Sequence, residues 1–349
     1  MNRSGGSRQA KAPTLADVAQ AAGVSVSTAA RVLRNAPYPY PVDANLSKAV
    51  RKAAEKLNYV PNVVARSLRS GGPKMIGLVV GDMLDPYYGE IAEATTLHAE
   101  SVRSLGAIVS NMQRDPLLEL KHCQRLWEQR VAGLILAGGG FDQWSHLDAL
   151  TSLVRQITEA GIIVVTQTPR GIGTPTFCVD NELVGSMMVE HLVSMGHRRI
   201  GVLLGPPQSE VTQQRMRGAT RALTAAGAGF QVLHADYSPE AGGRAIATLL
   251  ERQPTLTAFV VGSNAMALGA VAWLKQTGRM VPDDISVIGV GTPQTAAWIT
   301  PQLTLVDANL GNCARAAVNY IAARVSGEMD PMVPTFTPTL FTGGSVRQI

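Results

Sequence analysis

Apolar positions between Leu15 and Leu33 fall into two short helical stripes separated by Gly23. Leu15, Val18, Ala19 and Ala22 recur at helical spacing, and Ala29, Val32 and Leu33 repeat it after Ser25. Thr14 and Asp17 have the spacing of a helix-start capping pair, Gly23 suits a tight turn, and Ser25 suits a second cap. Ser27, Arg31 and Arg34 then share the opposite, polar face. A helix-turn-helix is predicted. After a Pro-rich turn, APYPYPVD, a third helix is expected with Leu46, Val50, Ala53 and Leu57 as its inward stripe.

From Met75 the pattern changes to short apolar runs alternating with amphipathic stretches. MIGLVVG, GAIVSN, AGLILAG and GIIVVTQ form one series; TFCVD, RIGVLLG, FQVLHA, TAFVVGS and DISVIGV form a second. Buried parallel strands with crossover helices produce this alternation, so two doubly wound halves are predicted with a crevice between them. Ligands of such sheets sit beyond the carboxyl ends of the strands.

Charge divides the chain at the same place as the pattern. Residues 1 to 74 hold twelve Lys or Arg against three acids, whereas the remainder holds nineteen against twenty-three, so a net charge of +5 conceals a basic head on an acidic body. A polyanion is the natural partner of such a head, because neutralised phosphates release counterions. No stretch pairs a wide apolar face with a basic rim, so a membrane surface is not expected as a partner. With 349 residues, 46% of them hydrophobic, the chain can bury sizeable cores. The start MNRSGGSRQAKAP lacks the apolar run of a secretory signal, which gives cytoplasmic as the expected location. Cys123, Cys178 and Cys313 are widely spaced and form no CxxC, so buried thiols are expected rather than disulfides or zinc.

Two motifs in order, TLADVAQAAGVSVSTAARVL and YVPNVVARSL, resemble the lactose/galactose repressor (LacI/GalR) family. The resemblance implies an all-α helix-turn-helix domain followed by an α/β two-lobed sensor of the periplasmic-binding-protein type I fold. It divides the chain into a disordered tail (1–12), a DNA-binding domain (13–60), a hinge helix and linker (61–74) and an effector-binding and dimerisation domain (75–349). Within the last, lobe 1 is expected at about 75–176 and 304–327, and lobe 2 at about 177–303 and 328–349. Val26, Ser27 and Arg31 would read a major groove with Ser25 and Thr28 near phosphates, Arg31 being suited to bidentate contact with guanine. In the hinge, Leu68 with Ala65 would wedge into the minor groove while Asn62 and Arg66 hold the backbone.

Through the body, GDMLDPYYGEI, DNELVGSMMVEHLVSMGHRRIGVLLGP, RMRGATRAL and SNAMALGAVAWLKQTGRMVPDDISVIGV resemble landmarks of the same family's sensor. The implied effector-binding residues are Asp82, Asp85, Tyr87, Tyr88, Gln113, Gln167, Asp180, Arg215, Asn264 and Gly291. Arg215, in an R-x-x-G pattern with Gly218, is the expected charged anchor. The chain departs from the family at Ser263-Asn264, where Asn-Asp is usual, and at Gly289-Val290-Gly291-Thr292, where Gly-Phe-Asp-Asp is usual. Losing two carboxylate acceptors, with Arg170 also placed nearby, tilts the expected effector from a neutral sugar toward a sugar acid or related metabolite.

An enzyme is not expected. No GxGxxG opens a helix after a strand, no Walker sequence occurs, and the six His are scattered. No cofactor or metal is implied. A solute-binding protein of the same two-lobed fold is the alternative, but it has no use for a basic head. The expected protein is a repressor, dimeric or higher, that binds a near-palindromic double-stranded operator and answers to a small effector.

Overall fold

In a computed structural model the described residues are 13–33, 42–60, 75–103, 105–139 and 144–349. The expected tail 1–12 and the hinge residues Asn62, Ala65, Arg66 and Leu68 lie outside them. The chain divides at Pro73 into two compact units.

Three helices build the first unit: α1 (Leu15–Ala21), α2 (Val26–Leu33) and α3 (Ala44–Lys56). The predicted cap of α1 is a reciprocal box, in which Thr14 Oγ1 accepts from the Asp17 amide at 3.3 Å and Asp17 Oδ2 accepts from the Thr14 amide at 2.7 Å. Ser25 caps α2 by accepting from the Thr28 amide at 3.1 Å, and Asp43 caps α3 through the amides of Asn45 and Leu46. Gly23 takes φ +65° in the turn, a conformation that a side chain would strain. Val18, Ala19, Ala29, Val32, Val50, Ala53 and Ala54 form the core. The inward stripe of α3 therefore needs one correction: it runs through Val50, Ala53, Ala54 and Leu57, leaving Leu46 in the first turn 43% exposed.

In the second unit, four parallel strands make the first sheet, in the order β2-β1-β3-β4: β1 (Met75–Val80), β2 (Gly106–Asn111), β3 (Gly133–Leu136) and β4 (Ile163–Thr166). Helices α4 (Pro86–Arg103), α5 (Pro116–Glu128) and α6 (Trp144–Glu159) connect them. The second sheet runs β10-β9-β8-β7-β5-β6 and holds β5 (Arg199–Leu204), β6 (Gly229–His234), β7 (Ala258–Val261), β8 (Ser286–Gly291), β9 (Thr304–Asp307) and an antiparallel edge strand, β10 (Thr339–Phe341). Its helices are α7 (Asn181–Ser194), α8 (Glu210–Ala225), α9 (Pro239–Arg252), α10 (Asn264–Gln276) and the single turn α11 (Pro293–Ala296). Helix α12 (Leu310–Val325) packs on α4 and β4 and so belongs to the first lobe. The inner strands β1, β3, β5, β7 and β8 are buried along nearly their whole length because helices cover both faces of the sheets, whereas the edge strands β2, β6 and β10 are half-buried or exposed.

Two expectations change here. TFCVD is not a strand: Thr176 and Val179 make only isolated bridges, to Thr166 and Phe336, where the chain passes from one lobe to the other. Residues 304–307 do not open the return to lobe 1, because β9 pairs with β8, Thr304 lying opposite Ile288. That return begins with α12. The chain passes between lobes after β4, after β9 and after α12, and residues that follow strands of both sheets line one cleft.

Candidate DNA interface and effector cleft

On the helix-turn-helix, the residues expected to meet DNA divide by exposure. Ser25, Val26 and Ser27 are exposed at the start of α2, while Thr28 and Arg31 are half-buried. Val26 is 46% exposed although apolar, a placement suited to contact with a thymine methyl and costly for a side chain meant for a core. Ser25 Oγ and Thr28 Oγ1 lie 2.9 Å apart, and Ser25 Oγ also accepts from the Thr28 amide, so these hydroxyls order the helix start. Ser27 and Arg31 sit one turn apart on one face. Lys48, Arg51, Lys52 and Lys56 are exposed on α3 and extend the positive surface.

The second site lies between the lobes. Asp85, Tyr87 and Tyr88, at the start of α4, line one pocket with Arg215 from α8 and Asn264 from α10. Gln167, just past β4, lines an adjoining space that shares Tyr87 and Arg215. Six of the ten expected effector residues are thus brought together. The other four are not. Asp180 is exposed and caps α7, accepting from the amides of Glu182 and Leu183; its neighbour Asn181 is the residue that turns inward. Gln113 is exposed in a left-handed turn (φ 52°). Asp82 caps the loop at Leu84 and stays at the rim, 3.8 Å from Arg114. Gly291 sits behind Asn264, where an added Cβ would lie 2.9 Å from that side chain's own Cβ.

Arg215 is 6% exposed, with Nε donating to Asn181 Oδ1 at 3.0 Å and Nη1 to the Gly262 carbonyl at 2.7 Å. Burial lowers its pKa, yet a guanidinium starts so high that it keeps its charge. Asp85 is also buried; desolvation raises its pKa despite the Tyr87 amide at 3.1 Å and Arg114 Nη2 at 3.0 Å. Arg114 lies in addition over the ring of Tyr237, 5.6 Å from its centroid, and the Tyr237 hydroxyl meets Thr212 at 2.8 Å. Since Arg114 follows β2 and Tyr237 follows β6, this contact spans the cleft from lobe to lobe.

Sequence reasoning missed Arg114, Thr168, Asn181, Ser209 and Tyr237. Four of them follow a strand's carboxyl end within a few residues, so a rule that took every polar side chain there would have found them. Arg170 was expected near the effector but is engaged elsewhere. It forms a bidentate pair with the buried carboxylate of Glu119 (2.5 and 2.8 Å) and donates to the Gly138 carbonyl, beneath the pocket-lining Gly139. Cys123 and Cys313 are buried and Cys178 half-buried, all as free thiols. Among the described residues no group of His, Cys, Asp and Glu could hold a metal ion.

Several polar atoms lining the cleft are buried without a protein partner. They are both amide atoms of Gln167, both of Asn264 and the Thr168 hydroxyl. Orphaned polar groups are costly in a finished core and ordinary in a site that awaits a ligand or water.

Residues 14–62 match the description of bacterial regulatory proteins of the lacI family, and residues 189–346 match a periplasmic binding protein-like domain. The chain is similar to the HTH-type transcriptional repressor PurR of Haemophilus influenzae (strain PittEE), 30% identical over 346 residues that span 96% of this chain and 99% of that protein. PurR of Proteus mirabilis (strain HI4320) is 29% identical over 316 residues, 89% of this chain and 90% of that one. Among solved structures, the lac repressor dimer bound to operator and the anti-inducer ONPF aligns with a TM-score of 0.83 at 25% identity, covering 97% of this chain and all of that one. A complex of the transcriptional regulator CelR with cellobiose aligns at 0.67 and 27%, covering 95% and 99%. A capped helix-turn-helix, a two-lobed body with a polar cleft, and relatives matched over nearly their whole length agree: the chain belongs to the lacI family of transcriptional regulators.

Proposed function

We propose that the protein is an effector-responsive repressor of genes for sugar or sugar-acid metabolism, acting as a homodimer on a near-palindromic operator. One observation carries the reading: a basic helix-turn-helix and a cleft lined by orphaned polar side chains occur in the same chain. Two recognition helices related by symmetry double the base contacts that one short helix can make. The effector is a small polar metabolite, a sugar, sugar acid or related compound. By binding one setting of the lobes better than the other it shifts the population and with it the affinity for DNA. Such a protein works in the cytoplasm; among the described residues no helix is long and apolar enough to cross a membrane. The hinge roles of Asn62, Ala65, Arg66 and Leu68 belong to this reading.

Selection from randomised duplexes tests it: a palindromic consensus is expected, with affinity falling steeply as salt rises, and no enrichment over random competitor would overturn it. Arg31→Ala is then expected to lose about 1–3 kcal/mol of discrimination at one position of each half-site, leaving the others unchanged. An identical consensus from the variant would remove Arg31 from the reading head.

The dimer is proposed to form over a groove between α4 and α11. There Trp298 is 64% exposed and Leu97 67% exposed, flanked by Glu93, His98 and Arg315. The occupant is a second copy of this chain: the similar lac repressor binds its operator as a dimer, and a large aromatic is the residue type that anchors such contacts. Trp298→Glu is expected to weaken dimerisation by about 2 kcal/mol or more, measured by sedimentation equilibrium. An unchanged dissociation constant would move the interface elsewhere.

A further inference from the structure

Three arginines stand around the cleft, and their counter-charges differ. Arg170 is paired with Glu119, and Arg114 with Asp85 and, more distantly, Asp82. Arg215, the most central, has only neutral partners, the Asn181 amide oxygen and the Gly262 carbonyl. Among the described residues no carboxylate lies within ion-pair distance of it. A guanidinium 6% exposed without an anion has given up much of its hydration for hydrogen bonds to neutral oxygens alone. The missing partner is one negative charge.

The rest of the lining describes the body that would carry that charge. Gln167 and Asn264 each keep a donor and an acceptor unused, and Thr168 adds a hydroxyl that can do either. Groups of mixed polarity on several sides match a ligand with many hydroxyls, each of which both donates and accepts. A flat heteroaromatic ring fits less well. Tyr87 and Tyr88 meet edge to face, with ring planes 79° apart, so they do not form the parallel walls of a stacking slot. Tyr237 already lies beneath Arg114. Asp85, its charge offset by Arg114, is left as an acceptor for a hydroxyl and does not ask for a cation.

We infer that the cleft takes a polyhydroxylated monocarboxylic acid, of the aldonic or uronic acid class, with its carboxylate on Arg215 and its hydroxyls on Gln167, Asn264 and Thr168. This inference rests on the proposed sensor role and narrows it to one ligand chemistry. A neutral sugar would leave the buried cation uncompensated, and among the described residues of the cleft a dianion would find one guanidinium, Arg215, without a carboxylate partner. Specificity for the acid over its neutral analogue is therefore a property of Arg215, while the amides set affinity for both.

Calorimetric titration and thermal shift of the full-length protein test it with five probes: gluconate, glucuronate, gluconamide, glucose and adenine. Gluconamide keeps the chain of gluconate and removes only its charge. At least one acid is expected to bind about tenfold or more tighter than gluconamide and glucose, the scale of one charge-assisted hydrogen-bond pair. In Arg215→Gln that advantage is expected to vanish, whereas Asn264→Ala weakens acid and amide alike. If Arg215→Gln fails to fold, the gluconate and gluconamide comparison on the unaltered protein still decides. Equal binding of acid and amide, tighter binding of glucose or adenine, or no binding of either acid overturns the inference. Retention on the selected duplex is measured on the same preparation. Intact DNA binding with failed acids sinks only the ligand class, while absent DNA binding sinks the repressor reading itself.

Discussion

Glu119→Ala is expected to destabilise the sensor unit by about 3–5 kcal/mol, because it strands the Arg170 guanidinium in the interior. Glu119 is fully buried on α5, and its carboxylate takes both Arg170 nitrogens while Oε2 also meets His146 Nε2 at 2.9 Å. Chemical denaturation of the variant checks the magnitude, and a loss under about 1 kcal/mol would show the pair to be dispensable. The same pair has a pH signature. Burial acts to raise the Glu119 pKa, but hydrogen bonds from Arg170 and His146 outweigh it and leave the carboxyl below its ordinary value of 4.5. The linked stability is therefore complete above pH 4.5 and is lost as pH falls through the lowered folded value. Comparing Glu119→Gln with the unaltered protein isolates this contribution: the stability gap should be widest near neutrality and close in acid. A gap independent of pH would mean that Glu119 is not ionised in the folded state.

How far the fold could be read from the chain depended on whether the signal was local. Thr14 with Asp17, Gly23 and Ser25 are short-range devices, and each sits where its spacing places it. Buried parallel strands announce themselves as apolar runs, so eight of the ten strands among the described residues overlap expected runs, and β9 and β10 do not. What failed was long-range. Whether Thr304 to Asp307 joins one sheet or the other is set by pairing with β8, a contact between distant segments that no local pattern encodes. TFCVD has strand composition, yet Val179 finds only a single bridge to Phe336 where the lobes are joined.

The cleft shows the same division residue by residue. Asp85, Tyr87 and Tyr88 follow β1 within a few residues, and Arg215 stands in the family's R-x-x-G pattern, so position after a strand together with the family resemblance points to them. Asp180 was a near miss of one residue. A carboxylate at the start of a helix is more useful as a cap, which left the cleft to Asn181. Arg170 had the right place along the chain and the wrong neighbour: Glu119, fifty-one residues earlier, claims it from beneath the strand ends. Tyr237 belongs to the other lobe, and its pairing with Arg114 depends on how the lobes meet.

Gly218→Val is expected to cost about 3 kcal/mol and to silence the effector site at the same time. Helices α7 and α8 cross with their backbones almost touching. A Cβ on Gly218 would lie 1.8 Å from the Glu182 carbonyl oxygen, and one on Gly185 would lie 2.1 Å from that of Arg215. These obstacles are backbone atoms, so no side chain can swing aside, and the helices must separate. Separation acts on the cleft directly, because the Nε to Oδ1 bond between Arg215 and Asn181 spans the same crossing. Gly218 follows Arg215 by three positions, which puts both on neighbouring parts of one helix face; the motif thus pairs a charged anchor with the close approach that holds it. Gly218→Val should melt earlier and lose its response to ligand, while the first unit, with its own core, keeps its fold and its affinity for duplex phosphates. Gly218→Ala should show the same defects in milder form. A valine variant with unaltered stability would mean that the crossing yields more readily than its geometry implies, and unaltered ligand response would separate Arg215's position from the packing of α7 on α8.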